Sequence, residues 1–196
     1  MTRIVVFADT HLKSTDQWSN DRLTAWDQVI AEGIRLKELG AWFHLGDVFD
    51  GRSSTADRND AARRFQTMAA HAPVVVLYGN HCSPLDLHIY AQLKARWPIS
   101  VVSAADVLTL PLATGETASI FTFPYPQKSG LVGAGVASSD VVVEADRLLD
   151  VLFMDAAAKL EISRRAGHLT LMMGHATIAG SRASTGQPMI GQEISV

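Results

Sequence analysis

The sequence predicts an α/β fold with a largely parallel sheet. Short apolar segments rich in β-branched residues alternate along the chain with longer segments of helical composition, and this alternation is typical of parallel βα units. Of the 196 residues, 47% are hydrophobic and 19% are charged, which is the balance of an ordinary globular protein. This length suffices for one well-buried core, so we expect residues 1–196 to form a single domain.

The chain begins with a predicted strand and a predicted helix. The segment RIVVFAD is short and β-branched, as expected for a strand that is covered on both faces. Apolar residues then recur at helical spacing from Leu23 to Ile34. Gly40 is predicted to end this helix, because glycine is the commonest residue just beyond a helix C-terminus.

Two further strands flank a second helix. The segments AWFHLGD and PVVVLYGNH are apolar runs of strand length. The segment DRNDAARRFQTMAAH between them has helical composition, and Pro73 marks the point beyond which the helix does not continue.

The second half of the chain continues the alternation with weaker signals. The segment LDLHIYAQLKARW is predicted as a helix, and a long helix is expected from about Ser139 to Arg165, followed by the strand HLTLMMGH. The segment KSGLVGAGVASS is expected to be a flexible loop. Shorter strands are predicted around Val101, Leu108 and Ile120.

Charge and cysteine content exclude several classes of protein. The net charge of −3 gives no general attraction to nucleic acid, so a DNA-binding surface would have to be a local patch. Cys82 is the only cysteine, which excludes an internal disulfide and favours the reducing cytoplasm. The chain enters its first strand without a secretion signal, and no apolar run reaches transmembrane length. We therefore expect a soluble cytoplasmic protein.

Polar residues follow four of the predicted strands directly. Because the carboxyl ends of parallel strands form one edge of a sheet, these side chains are expected to converge there. Aspartate, asparagine and histidine together form a ligand set that suits Mn²⁺, Fe²⁺ or Zn²⁺. The residues are Asp9, His11, Asp47, Asn80, His81 and His175.

Asp47 is the most informative of these residues. It follows an apolar strand directly, with Gly46 before it and Asp50 three residues later. A carboxylate at a buried strand end is unfavourable unless hydrogen-bond donors or a cation compensate it. Gly46, Gly79 and Gly174 each precede a candidate ligand and allow a tight turn that directs the next side chain into the cleft. We therefore expect Asp47 to face a metal ion.

The motifs ADTHL, GDVFD, GNH and GH occur in this order, each after a predicted strand. They resemble the calcineurin-like metallophosphoesterase superfamily, whose pattern is D-x-H, G-D, G-N-H-D/E, G-H and a final G-H-x-H. Within it, FADTHL, GDVFDGRSS and GHATIAG are most similar to the nuclease subunit of SbcCD- and Mre-type DNA-repair complexes.

The resemblance carries several expectations about the molecule. It implies a two-sheet αββα sandwich that hydrolyses phosphodiesters, with DNA as the substrate and an ATPase partner subunit of the SbcC/Rad type. It also implies two divalent metal ions, with Mn²⁺ favoured over Fe²⁺ or Zn²⁺. Other members of the superfamily act on nucleotides, phosphoproteins or small diesters, and a non-catalytic remnant of the fold with an incomplete metal site is a third interpretation.

The resemblance also implies a role for each residue of the site. Asp47 would bridge the two ions, with Asp9 and His11 completing the protein ligands of one ion. Asn80 and His175 would do the same for the other. His81 is expected to act catalytically, stabilising the transition state or protonating the leaving oxygen.

Two features of the sequence depart from the family pattern. Cys82 stands where the family usually has an acid, and we expect it to be a small buried apolar residue. No histidine follows His175, so the final G-H-x-H is missing, as is any capping domain. We therefore expect a fold that is shortened at its C-terminus, and the chain is either a shortened relative of the family or a fragment of a longer protein. We also expect an open site that binds Mn²⁺ weakly.

Three further polar residues have more than one interpretation. Arg52 and Arg58 lie just beyond the Asp47 loop, where they would contact a phosphate backbone or else form part of a solvated helix face. His44 lies inside a predicted strand, and we expect a hydrogen-bonded core histidine there rather than a metal ligand.

Overall fold

Two β-sheets make up the framework in the computed structural model, which describes residues 1–83, 85–126 and 141–176, with the backbone alone at 141–146. The first sheet is parallel, in the order β1-β2-β3-β4, and consists of β1 (Arg3–Phe7), β2 (Leu39–His44), β3 (Val74–Leu77) and β4 (Ile99–Val102). In the second sheet β5 is antiparallel to β6 and β7 is parallel to β6; its strands are β5 (Asp106–Pro111), β6 (Thr117–Phe123) and β7 (Leu169–Gly174).

Three α-helices and one short 3₁₀ helix complete the described elements. They are α1 (Ser19–Arg35), α2 (Thr55–Ala69), α3 (Val141–Arg165) and the 3₁₀ helix His88–Gln92. None of the helices in the described ranges is long and apolar enough to cross a membrane.

Alternating side chains on the strands divide the core into layers. Trp42 of β2 faces α1 and α2 and packs with Trp26 and Phe65, whereas the adjacent Phe43 points into the space between the sheets with Ile120 of β6. On the outer face of the second sheet, side chains of β6 pack against α3. Because successive residues of a strand face opposite sides, one apolar strand fills two layers. The predicted αββα sandwich is confirmed.

The first helix ends earlier than expected. Gly40 does not end it: α1 stops at Arg35, and Gly40 lies inside β2. A Cβ atom at Gly40 would lie 2.5 Å from Cγ2 of Thr2, so glycine is required there by close chain approach and not by a helix terminus.

Helix α2 begins two residues before the predicted start. Ser54 accepts a hydrogen bond from the backbone amide of Asp57, and the Asp57 carboxylate accepts one from the Ser54 amide. This reciprocal pair is a capping box, which satisfies two backbone donors at the helix N-terminus. As predicted, the helix does not reach Pro73.

The helix predicted over residues 85–97 is wrong, because only its central part forms a 3₁₀ helix. Leu85 has a φ of +71°, and Asp86 accepts hydrogen bonds from the backbone and hydroxyl of Ser53. Buried Leu87 donates its amide to the hydroxyl of Tyr78 at 3.1 Å. Tertiary contacts therefore override the helical composition of the segment.

The other predicted elements have mixed outcomes. The strands around Val101, Leu108 and Ile120 and the long helix are confirmed. The first strand was expected to be covered on both faces, but it lies at the edge of the described sheet with Val6 52% exposed. The predicted glycine-rich loop, residues 128–139, lies outside the described residues.

Candidate metal centre

The loops that follow β1 and β2 run side by side and are joined by backbone hydrogen bonds. The amides of Asp9, His11 and Leu12 donate to the carbonyls of residues 46, 47 and 48 at 3.1, 2.9 and 2.8 Å. These bonds hold Asp9 and His11 against Asp47, although 38 residues separate Asp9 from Asp47 in the sequence. The carboxyl ends of the two parallel strands thus meet at one edge of the sheet.

The backbone is strained at these three residues. Asp9, His11 and Asp47 have φ values of +59°, +43° and +53°. Such left-handed conformations are unfavourable for residues other than glycine, by about 1–3 kcal/mol each, and cluster at functional sites. The surrounding hydrogen bonds therefore hold the three side chains in positions that the isolated chain would avoid.

Two of the three glycines noted in the sequence make room for the candidate ligands. Gly46 has a φ of +121°, and a Cβ atom there would lie 2.5 Å from Nδ1 of His175. A Cβ atom at Gly79 would lie 2.1 Å from Oδ1 of Asp47. The tight turn predicted before Asp47 is present, whereas Gly79 is needed for space.

The two oxygens of Asp47 have different environments. Asp47 is 2% exposed, and its Oδ1 accepts a hydrogen bond of 2.9 Å from the backbone amide of His81. Its Oδ2 lies 3.8 Å from Nε2 of His11 and 3.6 Å from Nε2 of His175. A backbone amide therefore compensates one oxygen, and the other faces two imidazole rings.

His175 presents a lone pair to this centre. Its Nδ1 donates to the backbone carbonyl of Leu45 at 2.9 Å, so in the neutral ring Nε2 carries no proton. That Nε2 lies 2.9 Å from Oδ1 of Asn80 and also faces Asp47. Three atoms of the kind that bind metal ions, from His175, Asn80 and Asp47, thus converge on one point.

The five predicted ligands form two halves around Asp47. His11 lies 3.6 Å from Oδ1 of Asp9 on one side, and His175 lies beside Asn80 on the other. Oxygen and imidazole nitrogen donors suit Mn²⁺, Fe²⁺ or Zn²⁺, and two ligand atoms about 2.1 Å from one ion at right angles are about 3 Å apart, close to the spacing of His175 and Asn80. The residues present therefore fit divalent ions.

The structure adds Asp50 and Lys13, which the sequence analysis did not assign to the site. Asp50 places Oδ1 3.4 Å from Nδ1 of His81 and accepts a hydrogen bond of 2.8 Å from Nζ of Lys13. That hydrogen bond is the main cause of a lowered pKa for the Asp50 carboxyl, and it raises the pKa of Lys13. The available sequence signal was the position of Asp50 in the same loop as Asp47.

Ligand-type atoms form two groups at this edge. In each group, one atom from each of three residues lies within 4.8 Å of the other two. The Asp47 group consists of Asp9, Asp47 and His175, and the His81 group consists of His11, Asp50 and His81. The rings of His11 and His81 meet edge to face, with centroids 4.9 Å apart, so the groups are adjacent.

His44 and Cys82 are parts of the core, as predicted. His44 is completely buried and places Nε2 2.9 Å from the hydroxyl of Thr10, while its Nδ1 accepts from the amide of Gly46. Burial lowers the pKa of His44 to about 3, with smaller contributions from His175 and His11. Cys82 is 4% exposed and packs in the core, and burial raises the pKa of its thiol.

The two arginines near the site differ in their contacts. Arg58 donates to the carbonyl and the hydroxyl of Ser53, both at 3.0 Å, and so supports the start of α2. Arg52 is exposed and has no hydrogen bond among those described. Arg52 is therefore the better placed of the two for contact with a phosphate.

Comparison with known protein families identifies the family of the chain. The family model described as calcineurin-like phosphoesterase matches residues 2–191. No curated protein matches the chain. The matched range includes every residue of the two groups.

Proposed function

Because the chain belongs to the calcineurin-like phosphoesterase family, whose members hydrolyse phosphoesters with divalent metal ions, we propose that it is a phosphodiesterase that acts on DNA. Asp9, His11, Asp47, Asn80 and His175 would hold two divalent ions, Mn²⁺ in our proposal, with Asp47 as the ligand common to both. The observation that carries the proposal is the convergence of His175 Nε2, Asn80 Oδ1 and Asp47 Oδ2.

When bound, such ions supply Lewis-acid chemistry at a phosphate and make water a better nucleophile at neutral pH. The protein holds the donors in place beforehand through the backbone bonds between the two loops. The Leu45 carbonyl fixes the ring of His175 in the orientation that turns Nε2 to the centre, which is the usual way that a ligand histidine is positioned.

His81 is proposed as the proton donor. Its Nδ1 faces the carboxylate of Asp50 at 3.4 Å, which orients the ring. Its side chain is 45% exposed, so Nε2 is accessible to a substrate. In the reaction, the oxygen of water bonds to phosphorus and its proton passes to the solvent, while the bond to the leaving oxygen breaks and that oxygen takes a proton from His81.

DNA is proposed as the substrate for two reasons. FADTHL, GDVFDGRSS and GHATIAG resemble the repair nucleases, and Arg52, five residues after Asp47 in the sequence, is an exposed cation. With a net charge of −3, the protein would attract a phosphate backbone only locally. By the same resemblance, we propose an ATPase subunit of the SbcC/Rad type as partner and the cytoplasm as location.

The test of metal binding is a calorimetric Mn²⁺ titration of the protein and of two aspartate variants. Asp47→Asn removes the shared carboxylate, and Asp150→Asn makes the same chemical change at an exposed residue of α3. We expect binding to the wild type and to Asp150→Asn, and at least tenfold weaker binding to Asp47→Asn. Equal binding to all three proteins would remove Asp47 from the site.

The test of substrate class is a panel assayed with saturating Mn²⁺. It contains single- and double-stranded DNA, a nucleoside monophosphate, a phosphopeptide and a small aryl phosphodiester. Cleavage of DNA at the highest kcat/KM supports the proposal. Cleavage of another substrate with DNA left intact favours the wider phosphoesterase interpretation, and the absence of both metal binding and turnover favours a non-catalytic remnant.

A further inference from the structure

We propose that Lys13 keeps divalent ions from binding between Asp50 and His81, so that ions bind at the five ligands around Asp47, which include His11. The inference rests on the proposed function, because it takes ion binding at Asp47 as given. It concerns which of two adjacent groups with similar donors receives the metal.

Donor chemistry does not distinguish the two groups. Each combines carboxylate and imidazole atoms that lie within 4.8 Å of one another. Both sets would suit the same borderline cations. A difference in ion binding must therefore come from the surroundings of the carboxylates.

The two central carboxylates differ in what already neutralises them. Both oxygens of Asp50 face a basic side chain, because Oδ2 accepts from the ammonium of Lys13 at 2.8 Å and Oδ1 lies 3.4 Å from His81. The ion pairs described for Asp47 are with histidines alone, at 3.6 and 3.8 Å. Asp50 thus has an ammonium counterion, whereas the side chains that face Oδ2 of Asp47 are imidazole rings.

The backbone holds Lys13 beside Asp50. Leu12 is buried, its amide donates to the carbonyl of Val48, and its own carbonyl accepts from the amide of Asp50 at 3.2 Å. Leu12 and Phe49 form a parallel bridge. An exposed ion pair is ordinarily weak because two flexible side chains must be ordered. Here the backbone hydrogen bonds between the two loops already place Lys13 and Asp50 side by side. Less of the chain therefore has to be ordered for the ion pair itself.

The ammonium acts on a metal ion in two ways. It neutralises the Asp50 carboxylate by pairing with Oδ2, and it repels a dication that approaches the same carboxylate. A charge of +1 and a charge of +2 about 5 Å apart repel each other even in bulk water, which amounts to roughly a tenfold loss of affinity or more. Removing the charge should therefore admit an ion to the His81 group.

The experiment counts bound Mn²⁺ by calorimetry and by electron paramagnetic resonance of the free ion, so it does not depend on turnover. The proteins are the wild type, Lys13→Met, Asp50→Asn and the double variant Lys13→Met/Asp50→Asn. Lys94→Met is the matched control, since Lys94 is an exposed lysine outside the site. Lys13→Gln replaces Lys13→Met if the latter does not fold by circular dichroism.

We expect Lys13→Met to bind one more ion than the wild type and Lys94→Met. The double variant should lose the extra ion, and Asp50→Asn alone should bind Mn²⁺ within about threefold of the wild-type affinity. An unchanged number of ions in Lys13→Met, or a tenfold loss of affinity in Asp50→Asn, overturns the inference about Lys13. A wild-type protein that binds no Mn²⁺ overturns the proposed function itself.

Discussion

Asp47 is a buried carboxylate whose two oxygens have different surroundings. One oxygen receives the amide of His81, which compensates part of its desolvation, and the other remains directed at His11 and His175. Placing this side chain requires a left-handed backbone at Asp47 and a glycine at position 79. The residue is therefore held by its surroundings independently of any ion.

Substitutions at Asp47 and His81 should affect catalysis to different degrees. In our assignment Asp47 serves both ions, whereas His81 supplies only a proton. With Mn²⁺ saturating, we expect His81→Ala to lower kcat by a factor of about 10² to 10⁴, the usual contribution of a general acid. Asp47→Asn should lower kcat by a larger factor than His81→Ala does. Steady-state kinetics on the preferred diester would contradict the assignment if His81→Ala were the more damaging change.

The pH dependence of stability should include a contribution from His44. Its neutral ring uses both nitrogens, and burial lowers its pKa in the folded state to about 3, below the unfolded value of about 6.5. The unfolded state therefore binds a proton first as the pH falls. This contribution is fully present above pH 6.5 and is lost progressively as the pH falls towards 3.

Urea denaturation at two pH values checks this effect. Between pH 7.5 and pH 5, the unfolding free energy should fall by about 2 kcal/mol because of His44. Most of this loss occurs below pH 6.5, at about 1.4 kcal/mol per pH unit. His44→Gln cannot titrate, so its loss over the same interval should be smaller than that of the wild type by about this amount. Equal losses in the two proteins would show that His44 does not govern this interval.

Helix α2 begins at a capping box. Ser54 and Asp57 satisfy each other's backbone amides, and Ser54 also contacts the hydroxyl of Ser14. Loss of an N-cap hydroxyl typically destabilises a protein by about 1 kcal/mol. We expect Ser54→Ala to lower the urea midpoint accordingly with an unchanged m-value, and Asn59→Ala, an exposed change inside the same helix, to have a smaller effect. A midpoint for Ser54→Ala equal to that of the wild type would contradict this interpretation of the cap.

The strands were predictable because their signal is local. β2 and β3 consist of apolar residues buried on both faces, which the sequence displays as continuous apolar runs. The segment from Leu85 to Trp97 was not predictable in the same way. Its helical composition competes with contacts to Ser53 and Tyr78, which lie elsewhere in the chain, and a single sequence contains no record of such contacts.

The residues of the candidate site that lie at strand ends could also be assigned from the sequence, because the signal of a strand end is local. Asp9, Asp47, Asn80 and His175 could be assigned because each directly follows a predicted strand. Asp50 and Lys13 lie deeper in their loops, and their pairing depends on the hydrogen-bonded ladder between those loops. Short-range patterns thus identify the groups at strand ends, whereas the charges that surround them require the tertiary structure.

The candidate centre joins the two sheets of the sandwich. Asp47 and Asn80 follow strands of the first sheet, whereas His175 follows β7 of the second. The backbone carbonyl of Leu45 already accepts a hydrogen bond from His175 across this junction. An ion bound at the centre would therefore connect the sheets at the edge where the apolar layer around Phe43 and Ile120 ends.

Mn²⁺ should consequently stabilise the fold against urea. A ligand that binds only the folded state raises the unfolding free energy by about 2.7 kcal/mol per site at a free concentration of 100 times its Kd. The unfolded chain does not hold residues 47, 80 and 175 together, so this condition is met. We expect Mn²⁺ to shift the urea midpoint of the wild type and of Asp150→Asn upwards, and a chelator to reverse the shift.

Asp47→Asn separates specific binding from a general salt effect in this measurement. Its midpoint should move little at the same Mn²⁺ concentration, because the oxygen shared by the two halves is lost. An equal upward shift in Asp47→Asn would mean that Mn²⁺ stabilises the protein elsewhere. The junction between the two sheets would then be stabilised only by the apolar layer around Phe43 and Ile120 and by the hydrogen bond from His175 to Leu45.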